Sequence, residues 1–304
     1  MPAAKNIDAA QIDIRRSNIK SAQAAISLPV LKGKTMIKKL KAKCVLLIFF
    51  SLLIYSCSQV AITGRKQLNL VPDNVINRLG FENYKEFISQ SKLSTNAEQV
   101  QMVKTVGERI QKAVERYCQE NNLSKRLKGY EWEFNLVEDE AVNAWAMPGG
   151  KVVVYTGLLP VAENEAGLAT VMGHEIAHII ARHGAEQMSQ DLVIELGGMA
   201  LSEAITKQPE TVQSIFMNSY RIGSEVGVML PYSRTHELEA DHLGLIFMAI
   251  AGYNPQEALS FWQRMSSGGQ QSRLMELLST HPADSRRIKN IENLMPEALS
   301  YYNK

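Results

Sequence analysis

Two histidines and a glutamate in the segment His174-Glu175-Ile176-Ala177-His178 have the types and the spacing of a zinc site. The run from Ala166 to Ala181 around them is apolar, which predicts a buried helix. Residues four apart share one face of a helix, so His174 and His178 would direct two imidazoles to one point. Glu175 would lie beside that point, where a carboxylate can take a proton from water. The spacing therefore predicts a zinc-hydrolase centre.

A helix that merely carries polar residues is the alternative, because the pattern His-Glu-x-x-His fixes only three positions. Buried polar groups without partners cost free energy, however, and a metal ion would satisfy both imidazoles and the carboxylate at once. The neighbours of the motif are strongly apolar, among them Leu168, Val171, Met172, Ile176, Ile179 and Ile180. We therefore predict one Zn²⁺ per chain.

The third ligand must come from another segment, because a catalytic zinc takes three protein ligands and keeps one position open. A histidine six residues after His178 is excluded, since Gly184 occupies that position. Glu237 and Asp241 share a face if their segment is helical. We predict that Glu237 binds the metal and that Asp241 accepts a hydrogen bond from a ligand histidine. Glu239 points to the side of that helix and is expected to be solvated or in a salt bridge.

Elements before the motif supply a scaffold and a small sheet. Apolar residues at helical spacing predict helices over 73–92 and 96–120. Alternation over Tyr130–Val137 predicts a strand, and Pro-Gly-Gly between Asn143 and Tyr155 predicts a β-hairpin. An edge of such a hairpin can pair with an extended peptide, although the hairpin could also be purely structural.

Helices dominate the remainder of the chain. Asn164 is a predicted N-cap of the motif helix, and Gly184 is its predicted C-terminal cap. Residues 185–230 are helical in pattern but weakly specified, and they predict one or two helices that could cover the cleft. Further helices are predicted over 233–251, 255–265, 273–278 and 283–294, with a flexible link at 266–271. The pattern indicates an α+β fold that is predominantly helical.

Charge is distributed unevenly along the 304 residues. Of the 33 Lys and Arg and the 31 Asp and Glu, ten and two lie in residues 1–57, and the remainder carries a net charge of −6. An acidic body without a basic stripe argues against a nucleic acid as partner. The cysteines Cys44, Cys57 and Cys118 are too scattered for a disulfide framework or a thiolate metal site.

The N-terminal residues have the pattern of an export signal. Four lysines over 38–43 precede an apolar run from Cys44 to Tyr55, which is short for a membrane span. The end of this run, Leu53 to Cys57, resembles a bacterial lipobox and implies a lipid on Cys57; an uncleaved signal anchor is the alternative. The predicted organisation is an upstream extension over 1–35 with translation from Met36, a lipoprotein signal peptide over 36–57, a tether over 58–72 and a zinc metallopeptidase domain over 73–304.

Together, the motif at 174–178, Glu-x-x-x-Asp at 237–241 and Asn-Ala…Pro-Gly-Gly at 143–150 resemble the gluzincin peptidase family of HtpX and the CAAX prenyl protease. The periplasmic lipoprotein branch, LoiP-like and BepA-like, is the most similar part of that family. The resemblance runs from about Val60 to Met295. Further matching residues are 63–68, 251–255, Thr280-His281-Pro282, Arg286 and Arg287.

This resemblance implies a zincin-like metallopeptidase domain and a role for some of the matching residues. The implied zinc ligands are His174, His178 and Glu237, with Glu175 as general base and acid and Asp241 as support for a ligand. Asn143 and Ala144 would lie on the substrate-binding edge.

His281 is the least determined of the matching residues. It would lie near the metal, either to stabilise an oxyanion or to bind zinc as a fourth ligand, unless it only caps the chain before Pro282. His183, His236 and His242 have no matching role and are expected to support the site or lie on the surface.

Three functions are compatible with these features. The first is an endopeptidase that hydrolyses unfolded or misassembled envelope proteins. It is expected to be lipid-anchored in the periplasm, at the outer membrane. The second is a zinc-holding lipoprotein that acts mainly as a chaperone for the envelope assembly machinery, with little turnover. The third is a cytosolic peptidase, which requires that the N-terminal segment is not an export signal.

Overall fold

The structure is a computed structural model that describes residues 57–196, 201–220, 233–267, 275–282 and 285–303. The predicted extension over 1–35, residues 36–56 of the predicted signal and most of the predicted link at 266–271 lie outside the described residues. Among the described residues, no helix combines the length and the apolar character needed to cross a membrane.

Residues 58–72 are part of the folded domain, although their mixed polar composition predicts a tether. Strands β1 (Cys57–Gln59) and β2 (Lys66–Leu68) form a two-stranded sheet. Val60 and Val71 are buried, and so is Gln67. Two apolar side chains and the ion pairs of Arg65 therefore hold a segment whose average polarity suggests solvent exposure.

The two predicted scaffold helices are α1 (Asp73–Gln90) and α2 (Ala97–Glu120). The side chain of Asn96 accepts a hydrogen bond from the backbone N–H of Gln99, which caps the first turn of α2. The predicted apolar stripe of α2 is confirmed, because Val103, Val106, Ile110 and Val114 are buried in the core.

The predicted strand and hairpin form a three-stranded sheet. Strand β3 is Glu133–Val137, β4 is Ala144–Met147 and β5 is Lys151–Tyr155. Their order is β3-β5-β4, with β5 parallel to β3 and antiparallel to β4. Gly149 and Gly150 turn the hairpin with φ of 87° and 85°, a conformation that glycine adopts without steric cost. Because β5 lies between β3 and β4, strand β4 lies at one edge of the sheet.

The motif helix is α4 (Glu165–Ala181), which follows the short helix α3 (Leu159–Ala162). Its predicted N-cap is confirmed, because Asn164 accepts a hydrogen bond from the N–H of Gly167. Its predicted C-terminal cap is wrong: Arg182 takes the left-handed conformation, and helix α5 (His183–Leu196) begins at the next residue. Gly184 lies inside α5, where an added Cβ would meet the Tyr220 ring at 2.4 Å.

The C-terminal half is helical throughout the described residues. The helices are α6 (Leu201–Lys207), α7 (Pro209–Ser219), α8 (Arg234–Ile250), α9 (Gln256–Ser267), α10 (Met275–Thr280) and α11 (Ser285–Tyr302). Of the two caps that the sequence offers for α8, Ser233 and Thr235, Ser233 accepts the hydrogen bond from the backbone N–H of His236. The last helix extends past its predicted end and passes through Pro296. The predicted fold class, predominantly helical with one small sheet, is confirmed.

Helices α4 and α8 cross at two glycines. A Cβ added to Gly244 would lie 3.1 Å from the backbone nitrogen of His174 and 3.2 Å from the backbone of Gly173. A Cβ on Gly173 would likewise lie 3.2 Å from the carbonyl oxygen of Gly244. The missing side chains let the two backbones touch next to His174, so the donors on α4 lie directly opposite those on α8.

Gly244→Ala is expected to destabilise the protein, although alanine favours a helix over glycine by about 1 kcal/mol. The added methyl group must push the helices apart by a few tenths of an ångström, and overpacking of this kind costs about 1–3 kcal/mol. Urea unfolding of the metal-free protein measures the difference. A Gly244→Ala protein that is more stable than the wild type would contradict the importance of the close crossing.

Candidate metal centre

Four buried donor side chains converge on one point between α4 and α8. His174 and His178 come from α4, Glu237 comes from the first turn of α8, and His281 follows α10. Their exposed fractions are between 2% and 5%. One ligand atom from each residue lies within 4.8 Å of the ligand atoms of the others. The structure thus brings together the three predicted zinc ligands and adds His281.

The distances within this group match a tetrahedral metal site. The Nε2 atom of His174 lies 3.1 Å from Nε2 of His178 and 3.2 Å from Nδ1 of His281. The carboxylate oxygens of Glu237 lie 3.1 to 3.4 Å from the three ring nitrogens. Ligand atoms at 2.0–2.1 Å from a tetrahedral zinc are about 3.3 Å apart. A cation at the centre would satisfy ring nitrogens whose lone pairs otherwise face each other, so the donor set fits Zn²⁺.

Asp241 lies against His174, as predicted. Its Oδ1 atom is 3.1 Å from Nδ1 of His174, the ring nitrogen on the far side from the other donors. A hydrogen bond there fixes the tautomer in which Nε2 is free to bind a metal. Burial raises the pKa of Asp241, but Arg287 and His174 outweigh it and hold the pKa below its usual value.

Arg287 is the residue of this centre that the sequence pattern did not assign. Its guanidinium donates to both oxygens of Asp241 at 2.7 and 2.8 Å and lies 3.2 Å from Glu237. It also stacks over Trp262, 3.5 Å from the ring centroid. Its one sequence signal was its place six residues after His281. It balances the negative charge that two buried carboxylates bring to the site.

Two of the donors, Glu237 and His178, have pKa shifts that favour metal binding, whereas the pKa of His174 is raised, because burial and Arg287, which lower it, are outweighed by Asp241 and Glu237. Burial alone would raise the pKa of Glu237, but His281, His174 and His178 hold it well below its usual value, so the carboxylate is ionised. Burial lowers the pKa of His178 well below its usual value, which leaves the imidazole neutral. Ionised carboxylates and neutral imidazoles are the metal-binding forms.

A second chain of contacts supports His178. Its Nδ1 atom lies 2.9 Å from Nδ1 of His183, whose Nε2 lies 3.1 Å from Glu239. Arg65 forms an ion pair with Glu239, which is only 3% exposed. Of the two expectations for Glu239, the salt bridge is confirmed and solvation is wrong. Burial, against the opposing effect of Glu239, lowers the pKa of His183 to about 4.

The other histidines divide between this network and the surface. His236 is buried, stacks on His183 with 4.4 Å between ring centroids, and lies 3.1 Å from Glu186. His242 is partly exposed and lies 2.8 Å from Glu297. The expectation that these residues support the site or lie on the surface agrees with these positions.

Glu175 and the β4 edge complete the surroundings of the donors. The Oε1 atom of Glu175 lies 3.3 Å from Nε2 of His281, at the margin of the donor group. Strand β4 packs against α4, so the edge of the sheet runs beside the motif helix. Asn143 and Ala144 lie at the start of that edge and are both buried, with 9% and 2% exposed.

Comparison with known proteins agrees with this centre. Residues 105–295 match the family model described as Peptidase family M48. The chain is 36% identical over 185 residues to the mitochondrial metalloendopeptidase OMA1 of Saccharomyces cerevisiae, covering 59% of this chain and 51% of the relative. It is 35% identical over 197 residues to the Arabidopsis thaliana protein of the same name, covering 64% and 38%.

A bacterial relative is the beta-barrel assembly-enhancing protease of Escherichia coli, 29% identical over 187 residues, covering 57% of this chain and 37% of the relative. The chain thus spans about half, or less, of the length of these relatives. The family match spans more than half of this chain and agrees with the expected class of metallopeptidase.

The predicted location is wrong. The sequence pattern predicted a lipid anchor in the periplasm, at the outer membrane, whereas the relatives from yeast and A. thaliana are mitochondrial by name. A basic flank and an apolar run record only charge and hydrophobicity, which several kinds of targeting and anchoring segment share. The comparisons confirm neither the lipoprotein branch nor a lipid on Cys57, whose side chain lies outside what the structure describes.

Glu186 is expected to make stability depend on pH. Burial raises its pKa, but Arg65 and His236 outweigh burial and lower it from 4.5 to about 2. The ionised form therefore stabilises the fold above pH 4.5, and this contribution is lost as the pH falls toward 2. The difference in unfolding free energy between wild type and Glu186→Gln should be largest near neutral pH and shrink over that window.

Urea unfolding of the metal-free proteins at a series of pH values measures this difference. Glu203→Gln is the matched control, because Glu203 pairs with Lys207 at the exposed surface and should change stability little at any pH. A difference for Glu186→Gln that stays constant from pH 7 to pH 2 would contradict the assignment.

Proposed function

This chain belongs to peptidase family M48, and from that premise we propose that it is a zinc-dependent endopeptidase acting on unfolded or misassembled proteins. The observation that carries the proposal is the buried group of His174, His178, Glu237 and His281, whose spacing suits one zinc ion. We infer the substrate class by extension from two relatives, a metalloendopeptidase and a β-barrel assembly-enhancing protease.

His174, His178 and Glu237 are the proposed zinc ligands, and Asp241 is the proposed support for His174. A zinc ion bound by these residues supplies a Lewis acid that polarises a scissile carbonyl group and a water molecule. The buried Arg287 holds Asp241 by two hydrogen bonds, so the His174 ring keeps one orientation. A fixed ring orientation keeps the donor atoms in place without reorganisation during reaction.

Glu175 is the proposed general base and acid. It neighbours a ligand on the same helix, and its Oε1 lies 3.3 Å from His281 Nε2 at the margin of the donor group. From there its carboxylate would take the proton of the attacking water and deliver it to the leaving amine. Its burial, with 5% exposed, excludes bulk water from this proton transfer.

Asn143 and Ala144 are the proposed substrate contacts. Ala144 begins β4 and Asn143 directly precedes it. Strand β4 forms an edge of the sheet beside the motif helix, and an extended peptide can bind such an edge as an added strand. Both residues are buried in the described conformation. A peptide must therefore gain access to this edge before it can be cleaved.

His281 is proposed to occupy the fourth position of the site in this conformation. Its Nδ1 is as close to His174 and Glu237 as those donors are to each other. A site with four protein donors lacks the open position that hydrolysis requires. His281 would have to move away before Glu175 can act on a water molecule.

Glu175→Gln is expected to keep zinc and lose peptide hydrolysis by about 10²–10⁴-fold, because general acid–base catalysis contributes that much. Glu175 is not a proposed ligand, and glutamine keeps its size. Metal content and cleavage of casein, beside Glu203→Gln as a control for loss of an exposed carboxylate, measure the two effects. Cleavage by Glu175→Gln at the wild-type rate would contradict the role of Glu175 as general base and acid.

His281→Ala is expected to keep zinc and to cleave casein faster than the wild type, since three ligands remain and the fourth position becomes open to water. In the cobalt-substituted protein, the absorption spectrum should change as a water replaces the imidazole. An unchanged spectrum would contradict the fourth-ligand role, and slower cleavage would favour a role for His281 in stabilising the transition state.

A chaperone or assembly factor that holds zinc is the second candidate, and the closed donor group is the observation that favours it. Stoichiometric binding of unfolded protein without cleavage, by both the wild type and His281→Ala, would support this candidate. Cleavage that a chelator abolishes and added zinc restores supports the endopeptidase.

A further inference from the structure

Arg65 connects the N-terminal segment of the domain to the candidate metal centre. Its Nε and Nη2 atoms donate to the two oxygens of Glu239, each at 3.1 Å. Its two Nη atoms donate to Glu186 at 2.8 and 2.7 Å. The hydroxyl of Thr63 donates to Glu239 as well. One guanidinium group thus clamps two carboxylates, and both carboxylates belong to residues that are at most 5% exposed.

The bonds from Glu239 to His178 have a fixed direction. The ionised carboxylate of Glu239 only accepts hydrogen bonds, so Nε2 of His183 must carry a proton and donate it. A neutral His183 then accepts at Nδ1, where it meets Nδ1 of His178 at 2.9 Å. His178 must therefore be protonated at Nδ1, so its Nε2 carries the lone pair that faces the other donors.

Stacking fixes the plane of the intermediate ring. The ring of His236 lies parallel to that of His183, with 16° between the planes and 4.4 Å between the centroids. His236 is itself held by a contact of 3.1 Å between its Nε2 and Glu186, the second carboxylate in the clamp of Arg65. Arg65 therefore restrains His183 twice, through Glu239 along the hydrogen bonds and through Glu186 and His236 across the ring face.

We propose that Arg65, acting through Glu239 and His183, is a positioning residue that sets the tautomer and orientation of the metal ligand His178. Residues 63–65 precede the region 105–295 that matches the family, so a segment outside that region completes the metal centre. This inference rests on the proposed ligand role of His178. It assigns Thr63 and Arg65 to the function of the site, beyond the packing of the N-terminal strands.

Zinc affinity tests the proposal without relying on proteolysis. Substitution of residues that orient a metal ligand typically weakens metal binding by about 10–100-fold. Arg65→Gln is expected to weaken zinc binding by about tenfold, at the lower end of that range, because it acts through two other residues. Competition with a chelator measures the affinity, and the absorption spectrum of the cobalt-substituted protein reports the ligand geometry.

A double-mutant comparison separates positioning from packing. In a Glu239→Gln background the hydrogen-bonded route is already weakened, so Arg65→Gln should cause a smaller further loss of zinc affinity than in the wild type, through Glu186 and His236 alone. Arg65→Lys should recover only part of the affinity, because an ammonium group lacks the planar fork that grips a carboxylate at two points. Arg116→Gln is the control, since Arg116 pairs with Glu120 on the surface and should leave affinity and spectrum unchanged.

Several results would overturn the proposal. If Arg65→Gln folds, keeps its zinc affinity within twofold and keeps the cobalt spectrum, Arg65 has a structural role only. If the losses from Arg65→Gln and Glu239→Gln simply add, Arg65 does not act through Glu239. Should Arg65→Gln fail to fold, Thr63→Val removes a donor to Glu239 at similar volume, and unchanged affinity and spectrum in that variant also contradict the proposal.

These outcomes remain distinct from those of the proposed function. A wild-type protein that binds zinc with the expected dependence on Arg65 but cleaves no casein would overturn the endopeptidase and leave the positioning role intact. If the protein cleaves casein with zinc, but Arg65→Gln has the zinc affinity of the wild type, the positioning role alone is overturned. A wild-type protein that binds no zinc would overturn both.

Discussion

The close crossing of α4 and α8 is the constraint on which the candidate site depends, because its donors come from both helices. Two histidines on α4 reach the same point as a glutamate on α8 only if the backbones nearly touch, and Gly173 and Gly244 permit that contact. The crossing also buries every donor, which makes the charge balance of the site critical. Each carboxylate that the crossing removes from water must find a partner within the protein.

Two arginines provide that balance in the same way. The proposed ligand His174 contacts Asp241, and Arg287 donates hydrogen bonds to both oxygens of Asp241. The other, His178, reaches Glu239 through His183, and Arg65 grips Glu239 at both oxygens. Each chain ends on an arginine–carboxylate fork, one from the N-terminal strands and one from the last helix. The site thereby ties together the two ends of the folded domain.

Local patterns in the sequence predicted the residues of this site that share a helix. They did not predict partners that are far apart in the sequence. The i,i+4 spacing was enough to join His174 with His178, and Glu237 with Asp241, because a helix fixes which residues share a face. Arg65 and Glu239 are 174 positions apart, and nothing in the sequence around either residue indicates the other. The same limit explains Gly184: glycine is a common cap, but the contact with Tyr220 explains this one.

The donors differ in how firmly their surroundings hold them. His174 and His178 are oriented by chains that end on buried or half-buried ion pairs, so moving either ring would break several charge-assisted bonds. His281 instead faces Glu237 and Glu175, two groups whose proposed work is metal binding and proton transfer. If His281 leaves, those two carboxylates remain held near a centre that now has an open position. Under the proposed fourth-ligand role, movement of His281 would therefore open the site without disturbing the other proposed ligands.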